Sequence, residues 1–583
     1  MRRIVLAAIL GGWLFSAYAQ AAPPAAARPT FDGRLPLTDR PWPADARKFS
    51  FIIIGDRTGG GAENWPIFDR AVDEINLLDP DFAIFIGDHI EGYVRDTTQV
   101  VAMWREFSQH ADRLKVPMFS VVGNHDMSYP EMRDWWVRHR GRTYYSFDYE
   151  GAHFIILNTQ EAPGGLGEEQ VRFVLDDLAR HGDARRTFLF MHQPAWAGEE
   201  PTDGWARVEA ALAGRRYTVF GGHWHRAEYT EKDGNVRIAV GPTGAGITPS
   251  AIKPFGSFHH YTQVTVDGDS ARIAFIEPGS VLPQDIAPRP FREAATRLIR
   301  AEALPPAGLE TGEPTLGMVV TIDNQLPDVA NVAIAFPGVG ATGWRMIEGA
   351  NPAEVAVASG STQKVRVRFA APAARLADVP RVRFTCTYQG TQLLDAAQRM
   401  PVFPDSLLRP IPAWQVVGPF AVGQIGREQE RDPRRIVPRA FERLGPEAGW
   451  SRSATFTEGG ARLRWQETQA GDGGTIVFDG LLGTPTPINA MAYALCGIWS
   501  PAAQTVYAQL REDDYAQVML NGRTLDDGKL YRSRRDVAYV ALPLEAGWNT
   551  VIVKVVNIAG GWSFRLLAAD PGGVLRFASH PGR

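Results

Sequence analysis

At 583 residues, 45% hydrophobic and 22% charged, the chain is too long for one hydrophobic core and too apolar for extensive disorder. Lys+Arg number 61 and Asp+Glu 65, a net charge of -4, so there is no electrostatic basis for wrapping a polyanion and no nucleic-acid partner is indicated. The two cysteines, Cys386 and Cys496, fall in different expected domains, which leaves a disulfide framework and thiol catalysis without support.

In chain order, Arg2-Arg3, the apolar stretch Ile4–Tyr18 and Ala17-Tyr18-Ala19 are the three parts of an export signal, with a second cut site after Ala21. The apolar stretch is shorter than the ~20 residues a spanning helix needs. Residues 1–21 are therefore expected to be a signal peptide. The product would be periplasmic or extracellular, with no transmembrane segment after cleavage, and residues 22–48 would be an Ala/Pro-rich leader.

From Phe51 the pattern changes. Short continuous apolar runs at Phe51–Ile54, Phe82–Ile86, Met118–Val122, Phe154–Leu157, Thr187–Met191 and Tyr217–Phe220 have the composition of strands covered on both faces. Helical periodicity lies between several of them, as at Pro66–Leu78 and Glu168–Leu178, so residues 49–280 read as an α/β domain. Residues 281–312 read as a linker holding one short helix near Phe291–Glu302. Residues 313–404 have the alternating strands and turns of an Ig-like β-sandwich, with runs at Met318–Ile322, Val329–Phe336, Glu354–Val357, Lys364–Phe369 and Arg381–Tyr388. Residues 405–583 open with linker-like Pro404–Pro412 and continue as a second all-β domain, with runs at Gly474–Phe478, Thr505–Leu510, Ala516–Leu520, Val537–Ala541 and Thr550–Asn557. Asn521-Gly522 marks a hairpin within it.

An unpaired carboxylate or imidazole at the end of a buried strand is costly, so its repeated appearance there indicates a ligand. Asp56 follows the first run, Asp88 the second, Asn124-His125-Asp126 the third, His192 the fifth, and His223-Trp224-His225 the sixth. In open α/β sheets functional groups gather at the carboxyl ends of strands. Glycines before Asp56, Asp88, Asn124 and His223 permit tight turns there. His259-His260, beside a strand expected at Phe258–Val266, reads as packing, and His89, His110, His139, His153 and His181 as surface or structural.

These blocks resemble the calcineurin-like metallophosphoesterase superfamily, whose signature is Asp-x-His, Gly-Asp, Gly-Asn-His-Asp/Glu, a lone His and Gly-His-x-His, each ending a strand. The sequence has Gly55-Asp56, Gly87-Asp88, Gly123-Asn124-His125-Asp126, His192 and Gly222-His223-Trp224-His225, in order, over residues 49–278. The resemblance implies two mixed β-sheets flanked by helices and two divalent ions (Zn, Mn, Fe, Co or Ni, which suit an N/O ligand set). It implies that Asp88 bridges the ions, that Asp56 and His225 complete one site, and that Asn124, His192 and His223 complete the other. A metal-bridging hydroxide would attack in line, His125 would assist the leaving oxygen, and Asp126 would orient His125. Arg57 is placed to contact a phosphate oxygen. The sequence departs from the signature at Thr58, which stands where the first block has histidine; the first metal would then have fewer protein ligands, weaker affinity or an extra water, unless Tyr93 or Glu91 compensates.

Activity is thus expected on a small-molecule or glycan-linked phosphate ester, mono- or diester. Trp135, Trp136, Tyr144, Tyr145 and Trp196 would either line a pocket for an apolar or aromatic leaving group or serve as packing. Trp414–Phe420, Leu520–Arg523 and Gly547–Val556 resemble galactose-binding-like jelly rolls, and Trp499, Trp548 and Trp562 would either stack on a carbohydrate ligand or fill a core. Two alternatives stand beside the hydrolase: a glycan-binding or adhesion protein with a vestigial phosphoesterase domain, and metal-dependent hydrolysis of a non-phosphate bond.

Overall fold

The structure, a computed structural model, describes residues 48–581 apart from 162–164, 198–202, 309–313, 342, 371–378, 424–436, 484–485, 533–536 and 559. The expected signal peptide and nearly all of the leader lie outside the described residues. Among those residues no helix is long and apolar enough to cross a membrane. The chain forms two compact units: 1–248 with 258–285, and 249–257 with 286–583.

The N-terminal unit holds two six-stranded mixed sheets. Strands β1 (Lys48–Ile54), β2 (Phe82–Phe85) and β3 (Met118–Ser120) run parallel; β10 (Tyr261–Asp267), β11 (Ser270–Glu277) and β12 (Ser280–Pro283) extend this sheet antiparallel from β1. The other sheet is built of β4 (Tyr145–Tyr149), β5 (Ala152–Ile156), β6 (Arg186–Met191), β7 (Tyr217–Gly221), β9 (Asn235–Ala239) and β8 (Glu228–Lys232), in that spatial order. The strands are unbroken apolar runs because the two sheets face each other through phenylalanines. Phe51 of one lies 5.4 Å from Phe154 and 5.2 Å from Phe188 of the other, centroid to centroid, and Phe82 lies 5.9 Å from Phe147. With one face against the partner sheet, the other is closed by helices. Helix α1 (Trp65–Leu78) buries Phe68, Ala71, Val72 and Ile75, and α4 (Glu168–Arg180) buries Val171, Val174 and Leu178. Helices α2 (Thr97–Ala111), α3 (Pro130–His139) and α5 (Asp203–Ala211) complete the unit.

The second unit is almost entirely β. Four-stranded sheets built around Thr315–Asn324 and Ala330–Ala335 enclose Met318, Val320, Ile322, Ile334, Phe369 and Phe384. They are followed by a five- and a seven-stranded sheet around Ala492, Cys496, Leu510, Val553 and Trp562. Both cysteines are free and buried in these separate cores. Asn521 and Gly522 take positive φ, 48° and 78°, and join strands in which Leu520 pairs with Arg523, the two-residue turn their sequence predicts.

Two stretches expected as linkers are folded. Within 281–312 lie helix α6 (Arg289–Arg297) and strand Ile299–Ala307, which pairs with Thr315–Asn324 along most of its length. Within 404–412, Leu408–Pro410 pairs with Leu567–Ala569. Their prolines sit where the missing N–H is tolerated, at the first helical turn and on edge strands, so composition alone understates their order. Strands at Arg345–Glu348, Thr391–Arg399, Ala490–Ser500 and Ser563–Ala569 also lie beyond the expected runs.

Candidate functional site

The expected ligands stand at the strand ends where the apolar runs stop, and the sheets bring them together. Asp88 and His192 approach to 3.1 Å (Oδ2 to Nε2), Asp56 and His225 to 3.3 Å, and His192 Nε2 lies 3.1 Å from Asn124 Oδ1. The His192 and His223 rings are edge to face at 5.1 Å. Two sets of ligand atoms, Asp88–His192–His223 and Asp56–Asp88–His225, each fall within 4.8 Å, and Asp88 belongs to both.

Backbone geometry of an uncommon kind holds this cluster. Asp88, Tyr93, His223 and His225 all adopt positive φ, 58°, 53°, 67° and 50°, which costs free energy for residues other than glycine and gathers where the surroundings enforce it. Two glycines are needed by close approach. A Cβ on Gly123 would collide with the Asp88 carboxylate and amide, and one on Gly87 (φ +105°) would lie 2.5 Å from His192 Nδ1.

Each imidazole is oriented through its second nitrogen: His192 Nδ1–H donates to Ile86 O (3.0 Å) and His225 Nδ1–H to Gly246 O (3.0 Å), which turns Nε2 of each toward the carboxylates. His223 offers a backbone contact as well, its amide donating to Asp56 Oδ2 at 2.8 Å.

The charges divide sharply. Burial, helped by the neighbouring His192, lowers the His223 pKa to about 4, which favours the neutral ring at pH 7. Burial also disfavours a charged His192, but Asp88 and Asp56 outweigh it and raise that ring to about 9. For Asp88 burial opposes ionisation, yet His192 and His125 hold its carboxyl well below the usual range. His225 is raised because its bond to Asp56 outweighs burial.

The residues fit divalent cations. Asp56 Oδ1 and Thr58 Oγ1 are buried polar atoms without a hydrogen-bond partner at the cluster, and a bare carboxylate oxygen in that position is costly unless a ligand meets it. The donors are oxygen and nitrogen only, which suits Zn, Mn, Fe, Co or Ni.

Three expected roles are corrected. Asp126 does not orient His125. Fully buried, it accepts from the amides of Gly123 (2.8 Å), Asp88 (3.0 Å) and His89 (2.9 Å) and pairs with His89 Nδ1 (2.9 Å), locking together the turns that present Asp88 and Asn124. His125 is oriented by backbone instead, with Nδ1 2.6 Å from Glu91 O and Nε2 4.0 Å from Asp88 Oδ2. Arg57 is turned inward, 3% exposed, its guanidinium over Trp65 at 3.7 Å and donating to Gly61 O at 2.6 Å; burial lowers its pKa against the pull of Glu91. It braces the Gly59–Gly61 loop in place of the expected phosphate contact. Glu91 does not take the place of the missing histidine: it belongs to neither ligand set, and its carboxylate accepts from the Gly59 amide (2.9 Å). Tyr93 reaches Asn124, whose Nδ2 donates to its hydroxyl at 3.2 Å, and its ring packs edge-on against His125.

Of the aromatic candidates for a pocket, Trp136, Tyr145 and Trp196 are buried core, Trp135 stacks on Trp104 at 4.9 Å, and Tyr144 packs against Phe173. His260 is buried, with Nε2 accepting from Gly241 N at 3.1 Å.

The segment Gly241-Pro242-Thr243-Gly244-Ala245-Gly246 supports the cluster without belonging to any of the sequence blocks. It donates from Thr243 N and Ala245 N to Asp56 O, and supplies Thr243 Oγ1 to Gly55 N and Gly246 O to His225. Its glycine density is the one signal by which sequence alone could have found it.

Asp126→Asn is expected to cost about 3 kcal/mol of unfolding free energy, because an amide nitrogen would face donors where a charged acceptor satisfied four. Urea denaturation of the metal-free protein checks this, and a change below about 1 kcal/mol would contradict the locking role.

Residues 49–227 match the family model of calcineurin-like phosphoesterases. A dimetal phosphatase from Danio rerio is similar at 14% identity, covering 40% of this chain and 96% of that one, with TM-score 0.32. The Plasmodium protein GAP50, described as the anchor in the inner membrane complex, is similar at 15% identity over 40% of this chain and 85% of that one (TM-score 0.30). A predicted phosphoesterase from Streptococcus pneumoniae is similar at 14% identity over 40% and 92% (TM-score 0.21). No curated protein matches the chain. By its family match and its strand-end ligand blocks, the segment 49–227 is a calcineurin-like phosphoesterase domain.

Proposed function

We propose that the chain is an exported metal-dependent hydrolase of phosphoric esters, mono- or diesters, acting through the cluster centred on Asp88. The observation that carries this reading is the pair of ligand sets sharing that one carboxylate. Asp56 and His225 would hold one ion and Asn124, His192 and His223 the other, with Asp88 common to both. When bound, such ions neutralise phosphoryl oxygens and acidify a water molecule.

The chain's own residues do the rest. Asp88 Oδ1 accepts the His125 amide at 2.9 Å, which fixes the turn carrying His125 relative to the ligands. With its Nδ1–H given to Glu91 O, His125 has only Nε2 left to exchange a proton, and that atom faces the same space as Asp88 Oδ2. It is 28% exposed at the side chain, so a substrate oxygen can reach it. Protonated there, it donates to the leaving oxygen.

The experiment is turnover of p-nitrophenyl phosphate and bis-p-nitrophenyl phosphate by the full chain, before and after chelation and after addition of Mn²⁺ or Zn²⁺. Loss on chelation and recovery with metal are expected. Turnover indifferent to exhaustive chelation, or none of either ester by the metal-loaded protein, would overturn the proposal.

A second reading, a carbohydrate ligand of the C-terminal module, draws on Trp499 and Trp548. They are direct cross-strand partners, both half-buried, with Arg576 over Trp499 at 4.4 Å. Trp562 is fully buried core and unavailable. Quenching of tryptophan fluorescence by neutral sugars in the full chain, lost in Trp499→Ala, is the outcome this reading requires.

A further inference from the structure

In the second unit a cavity of about 490 Å³ opens beside the five-stranded sheet. One strand of that sheet, Gln504–Asp513, pairs with Ser563–Ala569 on one side and Ala538–Leu544 on the other. Alternation along it sends Val506, Ala508 and Leu510 into the C-terminal core and leaves Gln509 and Arg511 on the opposite face. Part of that face is covered, because Tyr539, Leu567 and Ala569 join Phe403 in the core of the two four-stranded sheets. The cavity is bounded by Phe403 and Tyr539 from this covered part and by Gln509, Arg511, Arg565 and Arg399.

The strand register sets Arg511 directly opposite Arg565. Residues so placed share a face with Cβ atoms about 5 Å apart, and like charges there destabilise a sheet. Arg565 is half-buried; burial and the neighbouring Arg511 lower its pKa against the pull of Asp405. Among the described residues neither guanidinium has an ion pair or a hydrogen bond. Asp405 and Glu302 are the carboxylates of the lining, and Glu302 is turned to Arg300 at 3.2 Å. With Arg399, the lining carries three cations against these two anions.

Gln509 supplies a second, independent observation. It is 8% exposed, yet its side-chain amide has no hydrogen-bond partner among the described residues. A buried amide without a partner is costly. Its cross-strand neighbours are Tyr539, whose hydroxyl accepts from Val402 N at 2.9 Å, and the apolar Leu567. The amide instead opens onto the cavity, beside the two arginines. Guanidinium forks match the paired oxygens of phosphate, sulfate and carboxylate, and an amide N–H adds a donor to the same group. Phe403 and Tyr539, ring centroids 6.2 Å apart, offer an apolar wall for the rest of a ligand. The volume falls in the range of small-molecule sites.

We propose that Gln509, Arg511 and Arg565 bind a small organic molecule through an oxyanion group, a phosphate, sulfate or carboxylate, with its body against Phe403 and Tyr539. The anion separates the two opposed guanidiniums and satisfies the buried amide. No residue of the Asp88 cluster takes part, so this site is independent of what that cluster hydrolyses.

The test is isothermal titration calorimetry of the full chain carrying Asp88→Asn, chelated and desalted so that no metal at the Asp88 cluster takes up the anion. The probes are inorganic phosphate, sulfate and glucuronate, with glucose as the neutral control. Saturable one-site binding of at least one anion, and none of glucose, is expected; the order of affinities tells a tetrahedral group from a carboxylate. Arg511→Gln, Arg565→Gln and Gln509→Leu should each weaken that binding, the arginine changes by about tenfold or more, the size of one charge-assisted hydrogen bond. Arg511 is exposed and opposed by a like charge, so ligand-free Arg511→Gln should melt no lower than its parent, which separates lost binding from lost folding. Absence of saturable binding of all three anions up to about 10 mM, or equal affinity in the parent and both arginine variants, would show that the cavity holds only water and mobile counterions and would overturn the proposal.

Discussion

Asp88→Asn is expected to remove bound metal and phosphate-ester turnover together, with the rate falling by about three orders of magnitude or more. That size reflects the several kcal/mol that metal ions contribute to phosphoryl chemistry, at roughly 1.4 kcal/mol per tenfold. Asp88 is the residue common to both ligand sets, so neutralising it weakens both. Its Oδ2 also neighbours His192, and its Oδ1 holds the His125 amide. The amide of asparagine keeps the shape but puts a donor where a carboxylate oxygen stood. Metal content and turnover of p-nitrophenyl phosphate are measured on the same sample. A variant that lost its metal yet kept its rate would rule out metal-assisted hydrolysis at this cluster.

His125→Ala separates proton transfer from metal binding. The side chain belongs to neither ligand set, and its Nδ1 is tied to Glu91 O, so its removal is expected to leave metal content intact while turnover drops about 10²- to 10⁴-fold. The loss should be smaller for an ester whose leaving group is a better anion, because that oxygen needs less help from an acid. Equal losses for good and poor leaving groups would remove His125 from the proton-transfer role and leave it a structural part of the Asn124 turn.

Much of this centre was legible because of a conflict between position and polarity. A strand with both faces covered must be apolar throughout, as Phe51–Ile54, Phe82–Phe85 and Phe188–Met191 are, so Asp56, Asp88 and His192 stand out against what precedes them. Roles that depend on a third residue far away in sequence were not legible. Asp126 sits beside His125 in the chain, yet its partner is His89, 37 positions earlier, because the turn after β3 points the carboxylate back beneath the turn after β2. Arg57 follows a ligand and carries the right charge for phosphate, but its side chain folds over Trp65 and Gly61. The aromatic candidates failed for a related reason: Trp136, Tyr145 and Trp196 are large apolar surfaces, and the core claimed them.

By itself the sequence determined the α/β character of the N-terminal unit, the all-β character of the C-terminal region, and the placing of six polar side chains at strand ends, all of which depend on local periodicity and on residue chemistry at fixed offsets. The tertiary structure decided which side chains meet: Asp126 with His89, Gly246 with His225, and Asp148 with His153 and His181. Those pairings depend on strand register and on where a helix ends against a sheet, and both are set by packing between segments that are distant along the chain.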